Sequence, residues 1–130
     1  MFSEKETPVI ALVADLIFAS RIRAAASAAG VGAATVHRGA DLEKRAREHR
    51  PRLILLDLDA RGTDVPALIG TLKSDPVLKS VPVVAFGAHI ETEALRTASA
   101  AGADRVLARS AFVRLLPELL LGAVDPDSGS

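Results

Sequence analysis

PRLILLDLDARGTD, residues 51–64, carries an apolar run that ends in an acid and passes into a loop containing Asp59, Gly62 and Asp64. A short, continuous apolar run bounded by Pro51 and a Gly-containing loop reads as a strand buried on both faces. An acid at the end of such a strand needs a partner, because an unpaired carboxylate is costly to take out of water. A site origin for Asp57 is therefore favoured over a purely structural one. Asp59 and Asp64 lie where turn-forming acids are routine.

Similar runs recur along the chain: VIALVA (9–14), VGAATV (31–36), LILLDL (53–58), VPVVAF (81–86) and RVLA (105–108). Helical patterns separate them. In 16–29, Phe18, Ile22, Ala25 and Ala29 form one stripe, with Arg21 and Arg23 on another. ADLEKRAREHR (40–50) is helix-forming and stopped by Pro51, VPALIGTLKSD (65–75) is followed by Pro76, and IETEALRTASAAG (90–102) ends in a helix-terminating glycine. In SAFVRLLPELLLGAV, Pro117 either kinks a helix or opens a shorter one. Five strands alternating with helices predict an α/β domain built on an open parallel sheet. The expected limits are a polar N-terminal tail over 1–8, the domain over 9–123 and a disordered C-terminal tail over 124–130.

Composition narrows the function classes. The chain has 130 residues, 49% of them hydrophobic, which suits one core and neither a disordered nor a membrane-spanning chain. Sixteen basic and sixteen acidic side chains cancel, giving no general attraction to nucleic acid or anionic lipid. With no cysteine, disulfides, thiolate chemistry and Cys-ligated zinc are excluded. MFSEKETP does not read as a signal peptide, and Asp15, Arg114 and Glu118 interrupt the best candidates for a membrane span. A cytoplasmic protein is expected.

Ligands of open parallel sheets bind beyond the carboxyl ends of the strands. The residues there are Asp15, His37, Asp57, then Gly87, Ala88 and His89, and finally Arg109 and Ser110. If the first and third strands are neighbours, Asp15 and Asp57 converge and, with a backbone carbonyl, could hold Mg²⁺. Asp15 could equally cap the helix that follows it. Arg109 could pair with Asp57 or with a phosphate bound beside it. His37, His49 and His89 share no metal-ligand spacing, so they are read as surface residues. No GxxxxGK[ST] or GxGxxG loop follows a strand, GVG at 30–32 precedes one, and no GxSxG is present.

The order of these pieces resembles the receiver domain of bacterial response regulators, from about Val9 to Leu121. PRLILLDLDARGTD resembles the phosphoacceptor strand and loop, VPVVAFGA the fourth strand, and AGADRVLARS the fifth strand with its lead-in. The resemblance implies a flavodoxin-like (βα)5 fold, with strand order 2-1-3-4-5 and helices on both faces. It places Asp57 at the phosphoacceptor position, Gly87, Ala88 and Arg109 at phosphate contacts, and Asp15, Asp57 and the Asp59 carbonyl at the metal. The chain departs from the family at the working positions. VADL stands in place of an acidic pair, and in the second possible register Val13 and Ala14 fill both acid positions. Gly87 replaces a Thr or Ser, Arg109 a Lys, Ser110 a Pro, and Val106 the aromatic switch residue. Arg is a planar fork where Lys is a compact ammonium, so that exchange is not neutral.

The expectation is an atypical receiver in two-component signalling: not an enzyme, without a required cofactor, and acting through a protein partner with its phospho-switch weakened or lost. A working receiver, taking phosphoryl from a histidine kinase on Asp57 with Mg²⁺, is the alternative. A small-ligand-binding flavodoxin-like domain is the third. The resemblance also implies a homodimer through the fourth helix, fifth strand and fifth helix, a face carrying Glu91, Arg96, Arg105, Arg114 and Glu118. For the site itself, the expectation is a fixed ion pair between Asp57 and Arg109.

Overall fold

The computed structural model describes residues 8–88, 92–122 and 124. His89 and Glu91, the start of the stretch expected to be helical from residue 90, and most of both expected tails lie outside the described residues. Five strands alternate with five helices: β1 (Val9–Leu12), α1 (Leu16–Ala28), β2 (Ala33–Val36), α2 (Gly39–His49), β3 (Leu53–Asp57), α3 (Val65–Ser74), β4 (Val83–Gly87), α4 (Thr92–Ala101), β5 (Arg105–Ala108) and α5 (Arg109–Leu120). All strand pairs are parallel and the order is β2-β1-β3-β4-β5. This is the open, doubly wound sheet expected from the alternation of apolar runs and helical stripes.

The sheet divides two cores by the two-residue period of its strands. Val9, Ala11, Leu53, Leu55, Val84 and Phe86 face α1 and α5, where Phe18, Ile22, Phe112 and Leu116 meet them. Ile10, Leu12, Ile54, Leu56, Val83 and Ala85 face α2, α3 and α4, meeting Leu42, Ala46, Ile69 and Leu72. Register keeps neighbours on the same face: Val9 lies beside Leu53 and Leu55 beside Val84. β1, β3 and β4 are buried along their whole length, as continuous apolar runs require, whereas the edge strands β2 and β5 are half-buried.

Strand limits are set by hydrogen bonds already committed elsewhere. β2 begins at Ala33 because the Val31 N–H closes the end of α1 on the Ala26 carbonyl, 2.9 Å. β4 begins at Val83 because the Val81 N–H is turned onto Leu78, 3.0 Å, and Pro82 has none. Asp15 caps α1, Asp64 caps α3, and Arg50 leaves α2 with φ 47° directly before Pro51. Pro117 lies inside α5, which runs as one helix of 12 residues.

Pairing and packing extend slightly past the limits read from sequence. The Pro8 carbonyl accepts from the Arg52 and Leu53 amides at 2.8 and 3.2 Å. Val124, placed in the disordered tail by the sequence reading, is buried in the α1–α5 core, because it supplies that face with another apolar side chain. No helix among the described residues is long and apolar enough to cross a membrane.

Candidate functional site at the carboxyl edge of the sheet

β3 ends on Asp57, between β1 and β4, and delivers its carboxylate to the carboxyl edge of the sheet with no exposed surface. Two backbone amides hold it. Oδ1 accepts from the Asp59 N–H at 2.9 Å, within the loop that follows β3. Oδ2 accepts from the Ala14 N–H at 3.3 Å, two residues past β1, after the Val13 N–H has been taken by the Val36 carbonyl of the neighbouring strand at 3.0 Å. Burial pushes the Asp57 carboxyl above its ordinary pKa, the largest influence on it. The Asp59 and Ala14 amides and the Arg109 charge pull it down, and the neighbouring Asp59 charge adds to the rise.

Arg109, the first residue of α5, brings Nη2 to 3.7 Å from Asp57 Oδ2. That is an ion pair without a direct hydrogen bond. The guanidinium stacks instead on Phe18, with Cζ 4.5 Å from the ring centroid, and its Nε is buried without an acceptor among the described residues. Phe18 packs in turn on Phe86 and Phe112 at centroid distances of 5.4 and 5.9 Å, and those two rings stack at 4.1 Å. The positive charge beside Asp57 is therefore set by an aromatic cluster beneath it. A stacked plane is something Arg provides and Lys does not.

Asp59 is exposed, and its carboxylate crosses to the loop after β4, where Oδ2 accepts from the Ala88 N–H at 2.7 Å. Gly87 closes β4 and has no side chain to offer a hydroxyl. Asp15 spends Oδ1 on its own helix, accepting from Ile17 at 2.8 Å and Phe18 at 3.2 Å. It is Ala14, not Asp15, that meets Asp57. Among the described residues no three His, Asp or Glu side chains gather as a metal site, and Asp15, Asp57 and Asp59 each face a different backbone partner. Asp15 is thus not gathered with Asp57 and Asp59 as a set of side-chain ligands.

The other candidate residues fall apart from this centre. His37 is exposed and its Nδ1 lies 3.0 Å from the Val13 carbonyl, while His49 is half-buried at the end of α2. Val106 is half-buried and packs on the α2–α4 core. Arg96, Arg114 and Glu118 are exposed on α4 and α5, and Arg105 is half-buried on β5. Neither Phe18 as the seat of Arg109 nor the Asp59 side chain as the partner of Ala88 is legible in the sequence. Phe18 reads there only as a core residue, and an acid in a glycine-containing loop gives no signal of such a partner.

No family model matches the chain, and no curated protein does. Solved structures do. The phosphorylated cyanobacterial phytochrome response regulator RcpA is 23% identical over 90% of both chains, with a TM-score of 0.75. Chemotaxis response regulator CheY4 of Vibrio cholerae is 16% identical over 89% of this chain and 97% of that one, with a TM-score of 0.79. The receiver domain of NtrX from Brucella abortus is 19% identical over 88% and 98%, with a TM-score of 0.74. At these identities the likeness is one of fold: the chain has the fold of response-regulator receiver domains.

Proposed function

We propose that this chain is an atypical receiver module of two-component signalling, cytoplasmic, that acts by binding a protein partner and not as an enzyme, with its phospho-switch weakened or lost. The observation that carries the reading is that the Ala88 amide, a donor suited to a phosphoryl oxygen, is already taken by Asp59. Gly87 has no hydroxyl to stand in for it, and the Arg109 plane is held on Phe18, 3.7 Å from Asp57. Receiving a phosphoryl group adds negative charge at a buried carboxylate, and donors and cations must meet that charge as it develops. Here the Arg109 guanidinium stands near, at 3.7 Å, and among the described residues no three His, Asp or Glu side chains gather to hold a cation. Val106 offers no ring to turn inward and report a change at Asp57.

No resident cofactor is needed for this function. The partner is a signalling protein, such as a histidine kinase, and the exposed α4–β5–α5 face with Arg96, Arg114 and Glu118 is the surface proposed for self-association.

Incubation with acetyl phosphate and Mg²⁺, read by intact mass, tests the reading. In that reaction an Asp57 carboxylate oxygen attacks phosphorus, and the P–O bond to acetate breaks with its electron pair leaving on acetate. The expected result is at most a trace adduct. A stoichiometric adduct that is absent in Asp57→Asn overturns the proposal in favour of a working receiver.

A further inference from the structure

We propose that the Asp59 carboxylate is an internal occupant of the anion-binding amide beyond β4, and that by holding Ala88 it closes the site to a phosphoryl group on Asp57. The inference deepens the reading above and rests on it. Three observations carry it.

First, the Ala88 amide is a free donor by construction. β4 pairs with β3 and β5 up to Gly87, the Phe86 carbonyl is taken by the Leu58 N–H at 2.8 Å, and the next amide projects past the sheet edge. Second, an anion is seated on it. Asp59 Oδ2 lies 2.7 Å away, in the range of hydrogen bonds with an ionised partner. Third, Asp59 holds both sides of the site. Its own N–H donates to Asp57 Oδ1 while its side chain reaches across to Ala88, so one residue ties the loop after β3 to the loop after β4. It does this although its charge works against a neighbouring ionised Asp57. An exposed side chain with water available stays beside a like charge only where the amide compensates it.

A phosphoryl oxygen on Asp57 and the Asp59 carboxylate are then rivals for the same N–H. Asp59 also repels the incoming group. Removing the carboxylate frees the donor and deletes a negative charge at once. Its exposed position means the change leaves the core untouched.

The test compares wild type, Asp59→Ala and Asp59→Asn, with Asp57→Asn/Asp59→Ala as the control for the site of modification. Two readouts are used: the exchange rate of the Ala88 amide by ¹⁵N NMR, and the initial rate of adduct formation with acetyl phosphate and Mg²⁺ by intact mass. In Asp59→Ala the amide should exchange at least about tenfold faster and the adduct should form at least about tenfold faster, and the control should form none. Asp59→Asn, which keeps an acceptor and loses the charge, should fall between. Unchanged Ala88 exchange overturns the contact. Released exchange with no gain in adduct rate, including no adduct in any variant, overturns the rivalry. A wild type that already forms a stoichiometric adduct refutes the proposed function instead, and the ratio of initial rates still judges the role of Asp59.

Discussion

Replacing Phe18 should loosen the Arg109–Asp57 pair through the aromatic cluster, and the size of the effect follows from what the ring touches. Phe18 is 6% exposed, contacts the rings of Phe86 and Phe112, and carries the Arg109 guanidinium on its face. Truncation to Ala deletes a buried ring and costs about 3–5 kcal/mol, a large share of the stability of a domain this size. Phe18→Leu is the informative change, because it keeps most of the apolar volume and loses the π face. The lost ring contacts and the cation–π term together cost about 2 kcal/mol. For a chain of this length that lowers Tm by roughly 8 °C. A double-mutant cycle of Phe18→Leu and Arg109→Met, measured by urea unfolding, reads the coupling between the two residues. It contains the stacking and the loosening of the Arg109–Asp57 pair together, about 0.5–1 kcal/mol. A coupling indistinguishable from zero refutes the claim that Phe18 seats Arg109.

Further outcomes follow from other contacts. The folded-state pKa of Asp57 lies above its unfolded value, so the native state binds the extra proton and wild-type stability falls as pH rises from the ordinary Asp range through the raised pKa. Asp57→Asn lacks that loss. Its stability relative to wild type should rise across the same window and then level off, and a flat or falling difference in urea midpoints refutes the assignment. Asp104 Oδ2 accepts from both Lys73 Nζ and the Val83 amide at 2.7 Å, joining α3, β4 and the approach to β5. Asp104→Ala should cost about 1–2 kcal/mol, discounted for its exposure, and a neutral result in chemical denaturation would show the contact to be idle. Gly102 ends α4 with φ +117°, and a Cβ there would lie 3.0 Å from Lys73 Cγ. Gly102→Ala should lose about 1–3 kcal/mol, visible as a lower Tm.

The fold was legible because burial on both faces leaves a plain record in sequence. LILL, VVAF and VIAL could not alternate with polar residues without placing charge in one of the two cores, so β3, β4 and β1 announce themselves. Errors fell at the strand limits: the run 9–14 outlasts β1, which ends at Leu12, and the runs 31–36 and 81–86 start before β2 and β4 do. Val31 and Val81 are apolar like their neighbours, and only the turn hydrogen bonds they make exclude them from the sheet. The site was legible in position and not in wiring. Asp57 and Arg109 could be placed at strand ends by counting, whereas the choice between the two registers at VADL depended on which backbone amide turns inward after Leu12. The side chain of Asp59 had several acceptable partners in a glycine-containing loop, and its bond to Ala88 exists only once β3 and β4 lie side by side.

The remaining question about Asp57 is why a fully buried acid persists if its chemistry has faded. Its surroundings remove much of the usual objection. Two backbone amides and a nearby guanidinium offset the loss of water, although burial still wins and the pKa is raised. The same groups give the acid structural work. Through the Ala14 amide it fixes the exit of β1, and through the Asp59 amide it shapes the loop that reaches Ala88. An apolar residue at position 57 would leave both amides at the sheet edge without their acceptor, at about 1–3 kcal/mol for each one left unsatisfied. Retention of Asp57 is thus explained by the two amides it holds. It is compatible with loss of the phosphorylation cycle and is not by itself a sign of reactivity.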